Sequence, residues 1–328
     1  MNRLQPSIEI LQNALGRDRQ SDVRRMNRVQ SAIYELDGDD LTICLSMLER
    51  TRPTEFETNA DSWRVLLTCK RKKPSDEQKR KIVPVPSSEV PHPLPQDVQR
   101  AWMEAGAQIG WQGMKDILVL DFQTMPEGLV GVVPAFRFAV WNEGTVGTLP
   151  APNVPFGLHL VGTDATDAAL KDLATLESLH TLDLSFTNLT DDGLKNLSSL
   201  KSLHVLCLFA TKVTDLGLKE LVRLKSLDTL ELRALNVTDV GLKELAGLKT
   251  LKSLDLCGTK ITDAGVKELA GLKILKSLDL SSTKITDAGV KELAGMSSLQ
   301  RLDLTDTRVT DAGLMELKKA LPGCQIVD

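Results

Sequence analysis

An α/β solenoid is the fold class that the sequence predicts, on three observations. Residues 155–322 divide into seven consecutive units of 24 residues. Each carries a Thr-Asp pair at the same place, at 166/167, 190/191, 214/215, 238/239, 262/263, 286/287 and 310/311. Each also switches, halfway along, from an alternating apolar pattern to a helical one. A constant step with no insertion over seven turns is the mark of stacked coils, because every coil must meet its neighbours in the same way.

The unit 251–274, LKSLDLCGTKITDAGVKELAGLKI, shows the pattern most clearly. Leu254 and Leu256 alternate with Ser253 and Asp255, the period of a short strand with one buried face. Val266, Leu269 and Leu272 then recur at helical spacing, with Thr262 and Asp263 just before them as helix cap and first-turn anion. One coil is therefore a strand, a turn and a short helix. It buries too little apolar surface to stand alone, and stacking with strands about 4.8 Å apart in a parallel ladder supplies the rest. Glycine follows the Thr-Asp pair at 193, 217, 241, 265, 289 and 313, but the first unit has Ala169 there. A required positive φ would tolerate that alanine poorly, so the glycines are read as serving close packing between coils. A second column, Thr163, Thr187, Thr211, Thr259, Thr283 and Thr307, offers hydroxyls to the turn after each strand. Leu235 interrupts it and predicts a local irregularity in the fourth coil.

The pattern LxxLxLxxTx[IV]TDxGLKEL resembles the leucine-rich repeat family. It is most similar to the cysteine-containing subclass found in F-box leucine-rich proteins, shortened to 24 residues and with Thr where that subclass carries Cys. The resemblance covers about half of the chain. It implies a horseshoe with parallel strands on the concave face and a protein-interaction role. As an alternative, the subclass implies a substrate-recognition adaptor of a ubiquitin-ligase-like complex.

Upstream, residues 1–30 are polar and Arg-rich, with Ile8, Leu11 and Leu15 at the spacing of a weak amphipathic helix. Residues 31–73 read as a small antiparallel β segment: two strands around a turn at Asp37-Gly38, then a third strand in WRVLLTCKRK. IYELDGDDLTICL, RPTEF and VLLTCKRKK resemble the last strands of a small bacterial lipocalin-like β-barrel domain. That implies either a barrel remnant or a true start upstream of Met1, with small-ligand binding as a further alternative. Residues 74–95 hold six prolines and predict an extended spacer. Residues 96–154 read as an α/β amino-terminal cap of the solenoid. Val98, Trp102, Ala105 and Ile109 share one face of a helix over QDVQRAWMEAGAQIGW, strands follow at 116–122 and 135–141, and Trp102, Trp111 and Trp141 cover the end of the core. At the other end Pro322 and Gly323 stop the last helix, and 323–328 predicts a closing strand.

Composition narrows the function classes. Net charge is −4, divided as 16 Lys/Arg against 14 Asp/Glu in 1–95 and 24 against 30 in the rest, which lacks the basic balance of a nucleic-acid binder. No apolar run reaches membrane-span length, and MNRLQPSIEILQNALGRDRQ lacks the features of a signal peptide, so the expected setting is cytoplasmic with no membrane partner. Five cysteines at no repeating spacing read as reduced thiols. HExxH, GxSxG, GxGxxG, Walker-loop and CxxC patterns are absent, and the expectation is a non-catalytic chain without a cofactor. His180 and His204 stack on adjacent coils, and His159, Asp183 and Cys207 form a second column, but the two columns lie three residues apart and no shared metal site is predicted.

The candidate site is the concave strand face. The residue between the two inward leucines of each strand is expected to point outward, giving His159, Asp183, Cys207, Glu231, Asp255, Asp279 and Asp303, a mostly acidic ladder. Phe186, Phe209 and Arg233 beside it are the anchor candidates, since aromatics and Arg dominate interface energetics. The partner expected is an unidentified protein or peptide, basic or mixed in charge. The alternative reading of the acidic column is that it belongs to the repeat template and is simply solvated.

Overall fold

The computed structural model describes residues 31–37, 40–46, 64–70, 94–116, 119–126 and 128–328. The chain divides into two compact units, Met1–Val83 and Pro84–Asp328. In the first, β1 (Ser31–Asp37), β2 (Asp40–Ser46) and β3 (Arg64–Lys70) form an antiparallel sheet in that order, and the β1/β2 ladder closes on the pair Asp37↔Asp40. The helix expected over 1–30 and residues 74–93 of the spacer lie outside the described residues, as does most of 1–95, on which the adaptor alternative depends.

The second unit opens with helix α1 (Gln96–Glu104), which is shorter than its apolar spacing predicts. Gly106, at φ +95°, ends it: lacking a Cβ, it takes the left-handed conformation while its N–H bonds back to Met103 O and that of Ala107 to Trp102 O. Ile109 and Trp111 therefore lie on strand β4 (Gln108–Asp116) rather than on the helix. Strands β5 (Val119–Gln123) and β6 (Val130–Arg137) flank β4 antiparallel, so the strand expected at 135–141 begins earlier and stops at Arg137. The outer edge of β6 pairs parallel with β7 (Phe156–His159), which turns an antiparallel cap into a parallel ladder. Trp102 is fully buried, stacked on Phe136 at 4.1 Å and edge-on to Phe156 at 6.0 Å, with its indole N–H donating to Pro150 O at 2.9 Å. It and Trp141 join the same core as Leu158 of the first coil; Trp111 is only half-buried.

From β7 the strands repeat as β8 (Leu179–Asp183), β9 (Val205–Cys207), β10 (Thr229–Glu231), β11 (Ser253–Asp255), β12 (Ser277–Asp279), β13 (Arg301–Asp303) and β14 (Gln325–Val327). Between them lie α2 (Ala169–Leu173), α3 (Asp191–Leu194), α4 (Asp215–Leu221), α5 (Asp239–Leu245), α6 (Asp263–Leu269), α7 (Asp287–Leu293) and α8 (Asp311–Ala320). The sheet is 11-stranded and runs β14-β13-β12-β11-β10-β9-β8-β7-β6-β4-β5. Leu254, Leu256, Val266, Leu269 and Leu272 are all buried, and their counterparts in the other coils extend one continuous core. This is the α/β solenoid that the two alternating periods predict.

The Thr-Asp pair does more than start a helix. From Thr190 onward the threonine caps its own helix, with its hydroxyl accepting an N–H of the first turn. The aspartate reaches instead to the next coil. Asp167 accepts the N–H and the hydroxyl of Thr190, and Asp191–Thr214, Asp215–Thr238, Asp239–Thr262, Asp263–Thr286 and Asp287–Thr310 repeat the pair of bonds at 2.6 to 2.8 Å. At the cap Glu143 takes this role, accepting the Thr166 hydroxyl at 2.6 Å from the same separation of 23 residues. The helix glycines make room for these carboxylates: a Cβ at Gly265 would stand 2.3 Å from Asp239 Oδ1. None of the six has positive φ, in agreement with the close-packing reading.

Positive φ falls elsewhere, on the residue before the threonine column. Gly162, Phe186, Ala210, Ala234, Gly258, Ser282 and Asp306 all lie at φ between 54° and 69°. Ala234→Gly should therefore raise stability by about 0.5–1 kcal/mol, the left-handed strain of alanine outweighing the extra freedom of glycine in the unfolded chain. Urea unfolding of the two forms measures it. The irregularity expected at Leu235 is absent. Its N–H still bonds Leu232 O at 3.3 Å and its side chain is buried, so the backbone bond alone holds the turn that the threonine hydroxyls reinforce in the other coils.

Candidate interaction face

The residues between the inward leucines stand in register across the ladder, from His159 through Asp183, Cys207, Glu231, Asp255 and Asp279 to Asp303. Sequence reasoning expected this column to be solvated. It is not: Asp183, Glu231, Asp255 and Asp279 are buried, Asp255 completely, and only Asp303 is half-exposed. Two features of the backbone explain this. Strand spacing of about 4.8 Å leaves each side chain wedged between its counterparts on the adjoining coils. In addition, the aspartates bend back to end their own strands: Oδ1 of Asp183, Asp255, Asp279 and Asp303 accepts the N–H two residues on, from Ser185, Cys257, Ser281 and Thr305, at 2.8 to 3.1 Å. Aspartate in this column is thus part of the turn, buried rather than solvated.

Coils three and four depart from the template. Cys207 has no carboxylate, and Glu231 is one methylene too long for the turn. Cys207 is Glu231's neighbour in the ladder, and one carboxylate oxygen of Glu231 is buried with no hydrogen-bond partner. Burial, then the carboxylates of Asp255 and Asp183, push Glu231 up to about 8 against the pull of Arg233. Burial, then Glu231 and Asp183, push Cys207 well up, so it stays a thiol and is no nucleophile at neutral pH. Asp255 is satisfied by Arg233, whose Nε and Nη2 both donate to Oδ2, at 3.1 and 2.5 Å. At the cap end His159 lies 3.5 Å from Asp183 and is covered by the Phe122 ring at 5.6 Å.

The accessible part of the face is the row beside this column. Phe186 is 41% exposed and edge-on to Phe209 at 4.5 Å, and Arg233 lies 5.7 Å from the Phe209 ring centre. The three form a chain across three coils, anchored through Arg233 to buried Asp255. Phe186 holds φ +59°, a conformation that costs a bulky L-residue energy. Sequence reasoning found these three by residue type, but missed the fixed contacts among them and the strained backbone; the glycines at 162 and 258, one and three repeats from Phe186, were the available signal.

His180 and His204 form a separate feature near the start of the same strands. Their rings stack at 4.3 Å and 9°, and burial, then the neighbouring imidazole, lowers His180 to about 4. Among the described residues no group of three or more His, Cys, Asp or Glu side chains is arranged to hold a metal ion, and no helix is long and apolar enough to cross a membrane.

Family models described as leucine rich repeat match residues 249–309 and 175–198. Among solved structures the chain is similar to an internalin C2 of Listeria monocytogenes, at 25% identity over 61% of this chain and 82% of that one, with a TM-score of 0.47. It is similar also to an internalin (inlF) of the same organism, at 22% identity over 53% of this chain and 54% of the other, TM-score 0.41. A leucine-rich repeat protein of Leptospira interrogans matches at 25% identity over 52% of this chain and 48% of its own, TM-score 0.43. The chain thus spans about half the length of the last two. No curated protein matches it.

Proposed function

We propose that this leucine-rich repeat array is a non-catalytic interaction module that takes a protein or peptide partner on its strand face, at Phe186, Phe209 and Arg233. The observation that carries the reading is the connected chain Phe186–Phe209–Arg233 across three coils, with a bulky, exposed Phe186 at a left-handed position where the other coils place Gly, Ala, Ser or Asp. Leucine-rich repeat domains typically mediate protein–protein contact, and the matched repeats fit that use. The buried acidic column contributes rigidity rather than a charged surface. A basic partner segment finds a complement near the last coil, where Asp303 is half-exposed and Asp306 exposed.

Affinity capture from native lysate, comparing the intact chain with a Phe186→Ala/Phe209→Ala double variant, tests this. The variant should lose the partner, with about 2 kcal/mol of binding energy gone per anchor, while keeping its melting temperature within a few degrees. Alanine already occupies the Phe186 position of the repeat at Ala210 and Ala234, so the fold tolerates it. A partner held equally well by both forms would remove this row from the binding surface.

A further inference from the structure

We propose that the strand face takes an acidic protein segment, with an aromatic or aliphatic side chain seated on Phe186 and Phe209 and carboxylates reaching the lysines at the two ends of the strands. This rests on the reading of Phe186, Phe209 and Arg233 as the binding row, and adds the charge of what binds there. It reverses the basic partner that the acidic residues of the strands suggest.

Those acidic residues are not what solvent meets. Glu231, Asp255 and Asp279 are buried, and Arg233 neutralises Asp255 through two hydrogen bonds to Oδ2. Burial and the neighbouring carboxylates push Glu231 up to about 8, which leaves it uncharged at pH 7. Across the strands and flanking turns of the third to sixth coils (204–212, 228–236, 252–260 and 276–284), every exposed charged side chain is a lysine: Lys212, Lys252, Lys260, Lys276 and Lys284. Half-buried Asp228 is held 3.0 Å from Lys252 Nζ, and the other four lysines have no ion-pair partner among the described residues. Lys260 and Lys284 occupy the same place on adjoining coils. So do Lys252 and Lys276, whose backbones are bonded from Lys276 N–H to Lys252 O at 2.7 Å. Like charges held on adjoining strands repel, and the carboxylates of a bound segment relieve that repulsion.

The same features favour a polypeptide over a nucleic acid. Phe186 and Phe209 meet edge-on at 69°, so they offer no run of parallel rings to successive bases. The net charge of −4 also opposes a long polyanion, whereas a short acidic segment meets the local lysines within the screening length of about 8–10 Å.

Selection of a random peptide library on the intact chain, followed by fluorescence anisotropy of the enriched peptides, tests the proposal. Enriched peptides should carry Asp or Glu on both sides of a Phe, Trp or Leu. Their affinity should fall roughly tenfold between about 50 and about 300 mM NaCl, and roughly tenfold or more in Lys212→Glu/Lys260→Glu/Lys284→Glu. The loss should be larger still in Phe186→Ala/Phe209→Ala. The three lysines are exposed and unpaired, so the charge-reversed chain keeps its fold, which its melting temperature checks. Basic or uncharged peptides that still depend on the two phenylalanines would overturn the acidic partner and leave the binding row standing. Acidic peptides indifferent to the phenylalanines would remove the row, and with it the seat assigned here. Single-stranded oligothymidylate bound more tightly than the best peptide would make the ligand a nucleic acid instead, and a library with no enriched peptide would sink both readings.

Discussion

Gly265→Ala is expected to destabilise the solenoid by about 2–4 kcal/mol, although alanine in the middle of a helix ordinarily gains up to about 1 kcal/mol over glycine. The two effects have opposite signs, and the geometry decides between them. A Cβ at 265 would stand 2.3 Å from Asp239 Oδ1 and 3.0 Å from Leu242 Cδ1, and the helix backbone has little freedom to retreat because it is locked into the stack on both sides. Asp239 must therefore move, which breaks the bonds it accepts from the Thr262 N–H and hydroxyl, both charge-assisted and each worth roughly 1.5–3 kcal/mol. The control is Asp239→Ala. It should cost a similar amount alone, and in its presence Gly265→Ala should lose most of its penalty, giving a coupling energy of at least about 1 kcal/mol in urea unfolding. If Gly265→Ala were neutral or stabilising in the native background, the inter-coil carboxylate would have to be energetically idle.

That clamp also marks how far the sequence could be read. Two periods of apolar residues predict strand and helix correctly, because burial selects them, and the invariant step of the Thr-Asp pair predicts stacking. Ala169 in the first coil argues against a positive φ at this position, which none of the six helix glycines has, and leaves close approach as the reason. What the approach makes room for stays hidden, since Asp239 and Gly265 touch only through the pitch of the stack. The cap shows the opposite failure. Val98 and Trp102 do lie on a helix, but Ile109 continues their spacing by coincidence, and Gly106, a conformational signal rather than an apolar one, ends the helix first.

The candidate site was legible in composition and misread in exposure. A strict alternation argues that Asp183, Asp255 and Asp279 lie opposite the core, and they do, yet the face opposite a core is solvated only when nothing bends over it. Here the aspartates fold back on their own turns and Arg233 reaches over Asp255 from the neighbouring coil. Only backbone geometry reveals either contact. Phe186, Phe209 and Arg233 were singled out by residue type alone; that they also replace the smaller residues found in most other coils at their positions is visible in the sequence, whereas the contacts among them are not.

Glu231 should give the solenoid a stability that declines as pH rises from about 5 to 8. The residue is buried, its carboxyl has an oxygen with no hydrogen-bond partner, and it stands in the column between Cys207 and Asp255, with Asp183 one coil beyond Cys207 and the Arg233 guanidinium as a further polar neighbour. The folded chain therefore holds its proton up to about 8, whereas the unfolded chain releases it near the ordinary value of 4.5. A group whose folded value is raised contributes stability that is complete below the unfolded value and is lost as pH climbs through the folded one, at a rate of up to about 1.4 kcal/mol per pH unit. Asp279, pushed up by burial and then by Asp255, adds to the same slope at its acidic end. Glu231→Gln keeps the shape, cannot ionise, and offers an amide donor to the adjoining Asp255 carboxylate. It should flatten the profile between pH 6 and 8 and raise stability at pH 8 by about 2–4 kcal/mol, with little change at pH 5. Urea midpoints of both forms at pH 5, 6, 7 and 8 supply the comparison. A native profile that is flat or rises over this range would show that water or a rearranged Arg233 stabilises the Glu231 carboxylate, and that this glutamate is charged in the folded chain at neutral pH.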